Sequence, residues 1–204
     1  LLQSKMISFE SIEAAKLNTE VFKLIKERAY SASEQMAREY GEPAILEGYG
    51  RRNTTLLAIA PTTSSAFILG QVSQGIEPVW SNCYVKDIAK IKTTIKNPFL
   101  ITLLEEKGQN TKDVWRDIRD RDGSVQHLTW MDEWTKDVFK TGMEIDQRWV
   151  IQHAADRQEY IDQAQSLNVF FRPDVNVKYL HAVHFQAWKQ GLKTMYYCRS
   201  EKLA

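Results

Sequence analysis

The sequence predicts one α/β unit in which helices outnumber strands, and three stretches carry this prediction. Near the start, apolar side chains recur at close to helical spacing from Ile12 to Ala29. A short apolar run, "NTTLLAIAP", is rich enough to form a buried strand that Pro61 ends. The last part follows the order strand, helix, strand, and its crossover of about twenty residues suits a parallel βαβ unit with a right-handed connection.

The elements before the tail follow from caps and loop residues. Ser8 and Ser11 offer an N-cap for the first helix, and Gly41 with Pro43 supplies its end. After the apolar run comes a cluster of hydroxyl residues, and the stretch "AFILGQVSQGIEPVWSNCYVKD" is then divided by loop residues at Gly70, Gly75 and Pro78.

The second half of the chain is predicted to contain four helices and two strands. Helices are expected over 97–121, in "VQHLTWMDEWTKDVFKTGMEID" around Trp134 and Phe139, and in "QRWVIQHAADRQEYIDQAQS". "LNVFF" is a strand candidate ended by Pro173. Asp174 or Asn176 caps the last helix, "VKYLHAVHFQAWKQG", and "LKTMYY" forms the closing strand.

Composition excludes several classes of function. The 204 residues carry a net charge of +1, which gives no support for a surface that coats nucleic acid. No apolar run approaches the roughly 20 residues that span a bilayer, and the start lacks a signal-peptide pattern. Cys83 and Cys198 are far apart and form no CxxC pair, so the chain suits a reducing cytoplasm and contains no evident metal site.

Four features could carry chemistry, and each also has an ordinary structural explanation. The hydroxyl cluster Thr62–Ser65 could present N–H and O–H donors to an anion, or could be a capped loop without the glycines and lysine of a P-loop. His181 and His184 have a spacing that suits a metal, but further ligands are missing and structural roles are more common.

The other two features are "YIDQAQS" and "MYYCRS". Asp162 and Gln163 could act as acid and base, although a polar network at a helix end is the commoner arrangement. Tyr196 and Tyr197 would ordinarily be core and rim residues, because neighbours in a strand face opposite sides.

Three stretches together resemble the large (alpha) subunit of class I ribonucleoside-diphosphate reductase. They are "GYGRRNTTLLAIAPTTSSAFILGQVSQGIEP", "RQEYIDQAQSLNVFFRPD" and "HAVHFQAWKQGLKTMYYCRS", in the order found in that family. The family signature is matched at Gly50, Arg52, Asn53, Ala58 and Pro61, whereas Arg51 replaces an aliphatic residue and the upstream tryptophan is absent. The resemblance covers the whole chain but only the C-terminal portion of that subunit.

The resemblance implies a fold and two sites. The fold would be the C-terminal part of a ten-stranded α/β barrel, with a helical lead-in over 1–48 and barrel strands over 49–204 in one unit. The substrate-diphosphate loop would be formed by Pro61, Thr62, Thr63, Ser64 and Ser65. Tyr197 would receive the oxidising equivalent from the small subunit, and Tyr196 would pass it to the active-site cysteine; no metal is expected in this chain.

The resemblance also implies partners and cofactors. The family's catalytic cysteines, acid/base residues and effector regions lie upstream of this segment, and its shuttle cysteines would lie beyond Ala204. We therefore expect a partner chain that carries the N-terminal part of the large subunit, as in a split subunit, although a fragment is the alternative. A small (beta) subunit with a dinuclear metal and radical cofactor would dock on the helix around 175–185, and a thiol reductant such as thioredoxin or glutaredoxin would serve the complex.

Two other functional classes remain open from the sequence. The chain could be a non-catalytic interaction module that keeps the fold and the docking helix. It could also be a free-standing protein that binds a nucleoside diphosphate by itself.

Overall fold

The computed structural model describes residues 1–70, 73–88 and 91–200. For residues 67, 87, 88 and 91 it describes only the backbone. Over these residues helices dominate and the strands are short. In chain order the elements are α1 (Ile12–Tyr40), α2 (Thr63–Ile68), β1 (Cys83–Ile88), β2 (Ile91–Lys96), α3 (Pro98–Glu106), α4 (Lys112–Asp120), α5 (Glu133–Val138), α6 (Gln147–Gln158), β3 (Val169–Phe170), α7 (Val177–Lys189) and β4 (Cys198–Arg199). Short 3₁₀ turns lie at Gln3–Lys5 and Ala44–Leu46.

The first helix, α1, confirms the prediction made from its caps. The Ser11 side chain accepts the Ala14 N–H at 3.1 Å, which satisfies one of the free donors at the start of the helix. Gly41 ends the helix with a φ of 76°, a value that glycine adopts without strain. The helix packs along α6, where the Asn18 amide donates to the His153 carbonyl oxygen at 3.0 Å.

The middle of the chain differs from the prediction in two places. The helix expected over 97–121 is divided into α3 and α4, because the turn between them needs Gly108 at a φ of 66°. The helix expected around Trp134 and Phe139 is only α5, which Asp132 caps. Phe139 follows α5 and is fully buried. It belongs to one core with other buried apolar residues: Leu100, Leu104, Trp115, Ile118 and Val125.

A hairpin that the sequence analysis did not predict joins β1 and β2. The two strands pair antiparallel from Cys83 opposite Lys96 to Ile88 opposite Ile91. Both strands are rich in β-branched and aromatic residues, which favour strands, but the charged residues among them weaken the apolar alternation. The stretch "CYVKD", to which no element was assigned from the sequence, is therefore a strand.

The tail has the predicted βαβ order, with shorter strands than expected. β3 pairs parallel with β4, with Val169 opposite Cys198, and α7 forms the connection. Asn176 caps α7 by accepting the Lys178 N–H at 2.9 Å, as one of the two predicted caps. The prediction of a strand over "LKTMYY" was wrong, because β4 begins only after the two tyrosines. A second core lies between α6, β3 and α7 and includes Val150, Ile151, Leu167, Val169 and Val183.

The predicted buried strand "NTTLLAIAP" is not formed as a full strand. Only Ile59 makes a β-bridge, parallel to Gln165, and the segment remains partly exposed. Pro61 follows two residues later and has no N–H to continue the pairing. The extended chain at Ile59 and the strand β4 both pair with the segment 163–171, so this segment positions both candidate sites.

Candidate functional site

The hydroxyl loop Pro61–Ser65 lies on the surface at the start of α2. All five of its residues are exposed, and Thr62 has a φ of 46°, in the left-handed region. The first N–H groups of a helix have no acceptor within the helix, so the amides at the start of α2 are open to an outside acceptor. The Ser64 and Ser65 hydroxyls form no hydrogen bond among the described residues. The loop therefore exposes backbone and side-chain donors on the surface.

Two contacts fix the loop against the turn that follows α2. The Thr62 hydroxyl oxygen accepts the Gly75 N–H at 2.9 Å, and the Thr63 hydroxyl donates to the Gln74 side-chain oxygen at 3.2 Å. Gly75 has a φ of 51°, and an added Cβ would lie 3.1 Å from the Ala60 carbonyl oxygen. The turn can approach the loop this closely because residue 75 has no side chain.

Asp162 anchors the chain that leads into the loop. Its carboxylate accepts the N–H groups of Leu56 and Leu57, at 2.7 and 3.0 Å, and the Tyr30 hydroxyl at 2.7 Å. Partial burial works to raise the pKa of Asp162, but these hydrogen bonds outweigh it and hold the pKa below its ordinary value. Asp162 thus belongs to a polar network at the end of α6, which was one of the two interpretations of "YIDQAQS".

The family-signature residues at 52–53 are held by a buried serine of α1. The Ser33 hydroxyl oxygen accepts the N–H groups of Arg52 and Asn53 at 3.1 and 3.0 Å, and its hydrogen is donated to the Asn53 side-chain oxygen. The Arg52 guanidinium donates to the carbonyl oxygens of Tyr40 and Gly41 at the end of α1. These side chains therefore position the backbone before the loop.

The two tyrosines contact each other directly. The ring centroids of Tyr196 and Tyr197 are 4.1 Å apart with the planes tilted by 51°. Because the pair precedes β4, the rule that strand neighbours face opposite sides does not apply, and the rings can meet. Tyr196 is 53% and Tyr197 54% exposed, so the pair is accessible from outside the chain. A side-chain hydrogen bond with Tyr197 raises the pKa of Tyr196 above its ordinary value. The negative charge of an ionised Tyr197 phenolate acts in the same direction.

The backbone of the tyrosine pair is fixed by the segment at β3. The Tyr196 N–H donates to the Leu167 carbonyl oxygen at 2.8 Å, and the Tyr197 N–H donates to the Asn168 side-chain oxygen at 3.0 Å. The Asn168 amide in turn donates to the Glu77 carboxylate. The Arg199 guanidinium lies 5.9 Å from the centroid of the Tyr197 ring.

Glu77 is a site residue that the sequence analysis missed. Its partial burial raises the pKa, against the opposing effects of Arg199 and the Asn168 hydrogen bond. Through Gly75 the same turn reaches the hydroxyl loop, and through Glu77 it reaches Asn168 beside Tyr197. One short segment therefore contacts the surroundings of both predicted sites. A single carboxylate in "QGIEP" gave no signal of this in the sequence alone.

Neither cysteine lies in a setting that activates a thiol. Cys83 is buried in the first core, and burial raises the pKa of its thiol. Cys198 is exposed next to Tyr197, and partial burial raises the pKa of its thiol as well. Both side chains are thus held further towards the protonated form, which is the weaker nucleophile.

The histidines and the last helix have distinct surroundings. The His184 ring bonds to the Leu180 carbonyl oxygen and stacks on Phe171, whereas His181 stacks on Phe185. Among the described residues no group of three or more His, Cys, Asp or Glu side chains is arranged to hold a metal ion.

On α7 the rings of Phe185 and Trp188 lie 5.4 Å apart, and they are 50% and 72% exposed. This aromatic patch extends the predicted docking region by one turn.

Within residues 1–70, 73–88 and 91–200, no helix combines the length and the apolar character that crossing a membrane requires.

Known proteins resemble this chain along almost its whole length. The family model for the ribonucleotide reductase barrel domain matches residues 43–198. The ribonucleoside-diphosphate reductase large subunit of Invertebrate iridescent virus 6 is 44% identical over the entire chain, which covers 22% of that protein. The large subunit of Danio rerio is 35% identical over 95% of the chain, which covers 28% of that protein.

A solved structure supports the same relationship. The class Id ribonucleotide reductase alpha subunit of Actinobacillus ureae aligns with a TM-score of 0.91 and 48% identity, over 98% of this chain and 36% of that one. The match confirms the helix-rich α/β fold that was expected from the sequence. The chain spans about a fifth to a third of the length of these three relatives. It belongs to the ribonucleotide reductase barrel-domain family.

Proposed function

We propose that this chain is a component of a ribonucleoside-diphosphate reductase large subunit, and that it supplies a substrate-diphosphate loop and a pair of radical-transfer tyrosines. The observation that carries the proposal is the contact between Tyr196 and Tyr197 at a ring separation of 4.1 Å. Two phenols in contact and open to a partner suit the passage of an electron and a proton from one ring to the next. The relatives are named as large subunits of this reductase, which supports the assignment.

The proposed substrate contact is the exposed loop Pro61–Ser65. Its free amide and hydroxyl groups are neutral donors that suit the oxygens of a diphosphate, and the dipole of α2 adds to them. These hydrogen bonds hold the substrate by its phosphates and leave the ribose free to react at the active-site cysteine. Turnover would require the active-site cysteines of the remaining part of the large subunit and the radical supplied by the small subunit.

In this proposal Tyr197 accepts the oxidising equivalent from the small subunit, and Tyr196 passes it towards the active-site cysteine. The dinuclear metal and radical cofactor belongs to the small subunit, and a thiol reductant such as thioredoxin or glutaredoxin returns the complex to its starting state. The aromatic patch on α7 is the proposed docking surface for the small subunit, because it presents Phe185 and Trp188 to solvent.

The experiment that tests the proposal is reconstitution from purified parts. The chain is mixed with the remaining part of the large subunit and with the small subunit, and reduction of ribonucleoside diphosphates is assayed with a thiol reductant. We expect activity only when all parts are present. A stable, fully assembled mixture without activity would contradict the proposal.

The aromatic patch on α7 also supports a second candidate, a non-catalytic interaction module that retains the docking helix. In that case the assembled complex would form, and its activity would not depend on Tyr196 or on the hydroxyl loop. Substitutions at these positions therefore separate the two candidates.

A further inference from the structure

A buried asparagine connects the tyrosine pair to a carboxylate from a distant part of the chain. Asn168 is 2% exposed, and both polar atoms of its side chain form hydrogen bonds. Its side-chain oxygen accepts the Tyr197 N–H at 3.0 Å, and its side-chain amide donates to the Glu77 carboxylate. A side-chain amide has one accepting end and one donating end, so only one of its two orientations offers an acceptor to Tyr197.

Glu77 selects that orientation of Asn168. The Tyr197 N–H can only donate and an ionised carboxylate can only accept, so the Asn168 amide group must point towards Glu77 and its oxygen towards Tyr197. A buried amide group without an acceptor is costly, so Asn168 would turn or move if the carboxylate were removed. The Tyr197 N–H would then lose its acceptor as well.

The carboxylate also lies near the cation beside the Tyr197 ring. The Arg199 guanidinium is 5.9 Å from the centroid of that ring. Glu77 and Arg199 both line a cavity of about 640 Å³ that Arg157 also reaches. Burial raises the pKa of Glu77, whereas the charge of Arg199 and the Asn168 hydrogen bond oppose this effect by favouring the carboxylate. Glu77 is therefore linked to the Tyr197 backbone through Asn168, and its charge is stabilised by the cation next to the Tyr197 ring.

We propose that Glu77 is a positioning residue for the tyrosine pair, because its carboxylate fixes Asn168 in the orientation that holds the Tyr197 backbone. The inference rests on the proposed function, since it concerns the transfer from Tyr197 to Tyr196. The Tyr196 N–H donates to the Leu167 carbonyl oxygen at 2.8 Å, so the two tyrosines have separate backbone contacts. Loss of the Glu77 carboxylate would therefore move Tyr197 relative to Tyr196 and change the ring separation of 4.1 Å.

The first measurement is hydrogen exchange of the two tyrosine amides in the isolated chain, followed by NMR. Glu77→Ala removes the acceptor of the Asn168 amide, whereas Glu77→Gln keeps a side-chain oxygen that can accept it. In Glu77→Ala we expect the Tyr197 amide to exchange about tenfold faster or more. The Tyr196 amide should keep its rate, because its acceptor is a backbone carbonyl oxygen, and a general loss of stability would raise both rates. Glu77→Gln should recover most of the protection of the Tyr197 amide.

The second measurement is turnover of the reassembled complex. Glu77→Ala should lower kcat by about tenfold or more and leave KM for the nucleoside diphosphate within about threefold, because it displaces a reacting ring and not the substrate loop. Gly75→Ala, in the same turn, is the contrast, because its contact with Thr62 predicts a rise in KM instead. When Asn168→Ala is already present, Glu77→Ala should cause no further loss of kcat, since Glu77 acts through Asn168.

Three results would overturn the inference, and two of them leave the proposed function standing. Unchanged exchange of the Tyr197 amide in Glu77→Ala would show that the carboxylate does not hold the backbone. Faster exchange with an unchanged kcat would show that this contact has no part in the reaction. In both cases Tyr196→Phe still decides the proposed function by its own effect on turnover. An assembled, unsubstituted complex without turnover would contradict the proposed function and the inference together.

Discussion

At the scale of single residues, Tyr196 and Tyr197 are neighbours in the chain whose rings contact each other. Their rings are in contact because the pair lies just before β4, where Asn168 and Leu167 hold the backbone. A phenylalanine at either position would keep the ring contact and lose the hydroxyl group. The proposed transfer therefore depends on an O–H group that contributes little to the fold.

Tyr196→Phe should abolish nucleotide reduction in the reassembled complex while leaving assembly unchanged, because the substituted ring cannot give up a proton with its electron. Turnover and complex size are measured on the same sample. Tyr49→Phe is the matched control, because Tyr49 is 71% exposed and its hydroxyl makes no hydrogen bond among the described residues. Activity retained by Tyr196→Phe would refute the radical role.

Asp162→Asn should lower the free energy of unfolding of the isolated chain by about 1–3 kcal/mol at neutral pH. The reason is that an amide replaces the charged carboxylate that accepts two backbone N–H groups. The pKa of Asp162 is lower when folded than when unfolded, so its stabilisation is present above the unfolded pKa of about 3.9. The stabilisation is lost as the pH falls through the folded pKa. Urea unfolding at pH 7 and near pH 3 should therefore show a difference between the two proteins that shrinks in acid, and an equal difference at both values would contradict this role.

At the scale of elements, the turn after α2 contacts the hydroxyl loop through Gly75, and it contacts Asn168, which holds the Tyr197 backbone before β4, through Glu77. Neither connection was visible in the sequence, because "QGIEP" has the composition of an ordinary loop.

The helices were easier to predict than the strands. Their caps and periodicity are local, whereas β3 and β4 are only two residues long and form because the chain brings them together.

Gly75→Ala should weaken binding of a nucleoside diphosphate to the reassembled complex by about threefold to tenfold, on the order of 1 kcal/mol. The added Cβ would lie 3.1 Å from the Ala60 carbonyl oxygen, and the φ of 51° disfavours a side chain, so the loop must shift. Gly48→Ala is the control, because Gly48 also has a positive φ but open space around it. Equal affinities for the two variants, measured by calorimetry, would show that the turn does not position the loop.

At the scale of the whole molecule, the chain presents surfaces that suit partners. Exposed aromatic residues lie on α7, and apolar groups line much of the cavity that Arg157 reaches. The chain covers only 22–36% of the length of these relatives. Substrate binding is therefore expected to require the assembled large subunit.

The isolated chain should show no saturable binding of a ribonucleoside diphosphate up to about 1 mM in isothermal titration, because one exposed loop offers few contacts. Addition of the remaining part of the large subunit should produce binding. Micromolar affinity in the isolated chain would instead support a free-standing nucleotide-binding protein.

The sequence by itself determined the family, the caps of α1 and α7, the parallel order of the tail and the position of the hydroxyl loop, because each depends on a motif or on local periodicity. Only the tertiary structure decided that the tyrosine rings meet, that Asn168 joins Glu77 to the Tyr197 backbone and that Arg157 is buried with its Nε on Gln165. These three features depend on contacts between distant parts of the chain. The side-chain types in the sequence do not specify such contacts, whereas the folded backbone does.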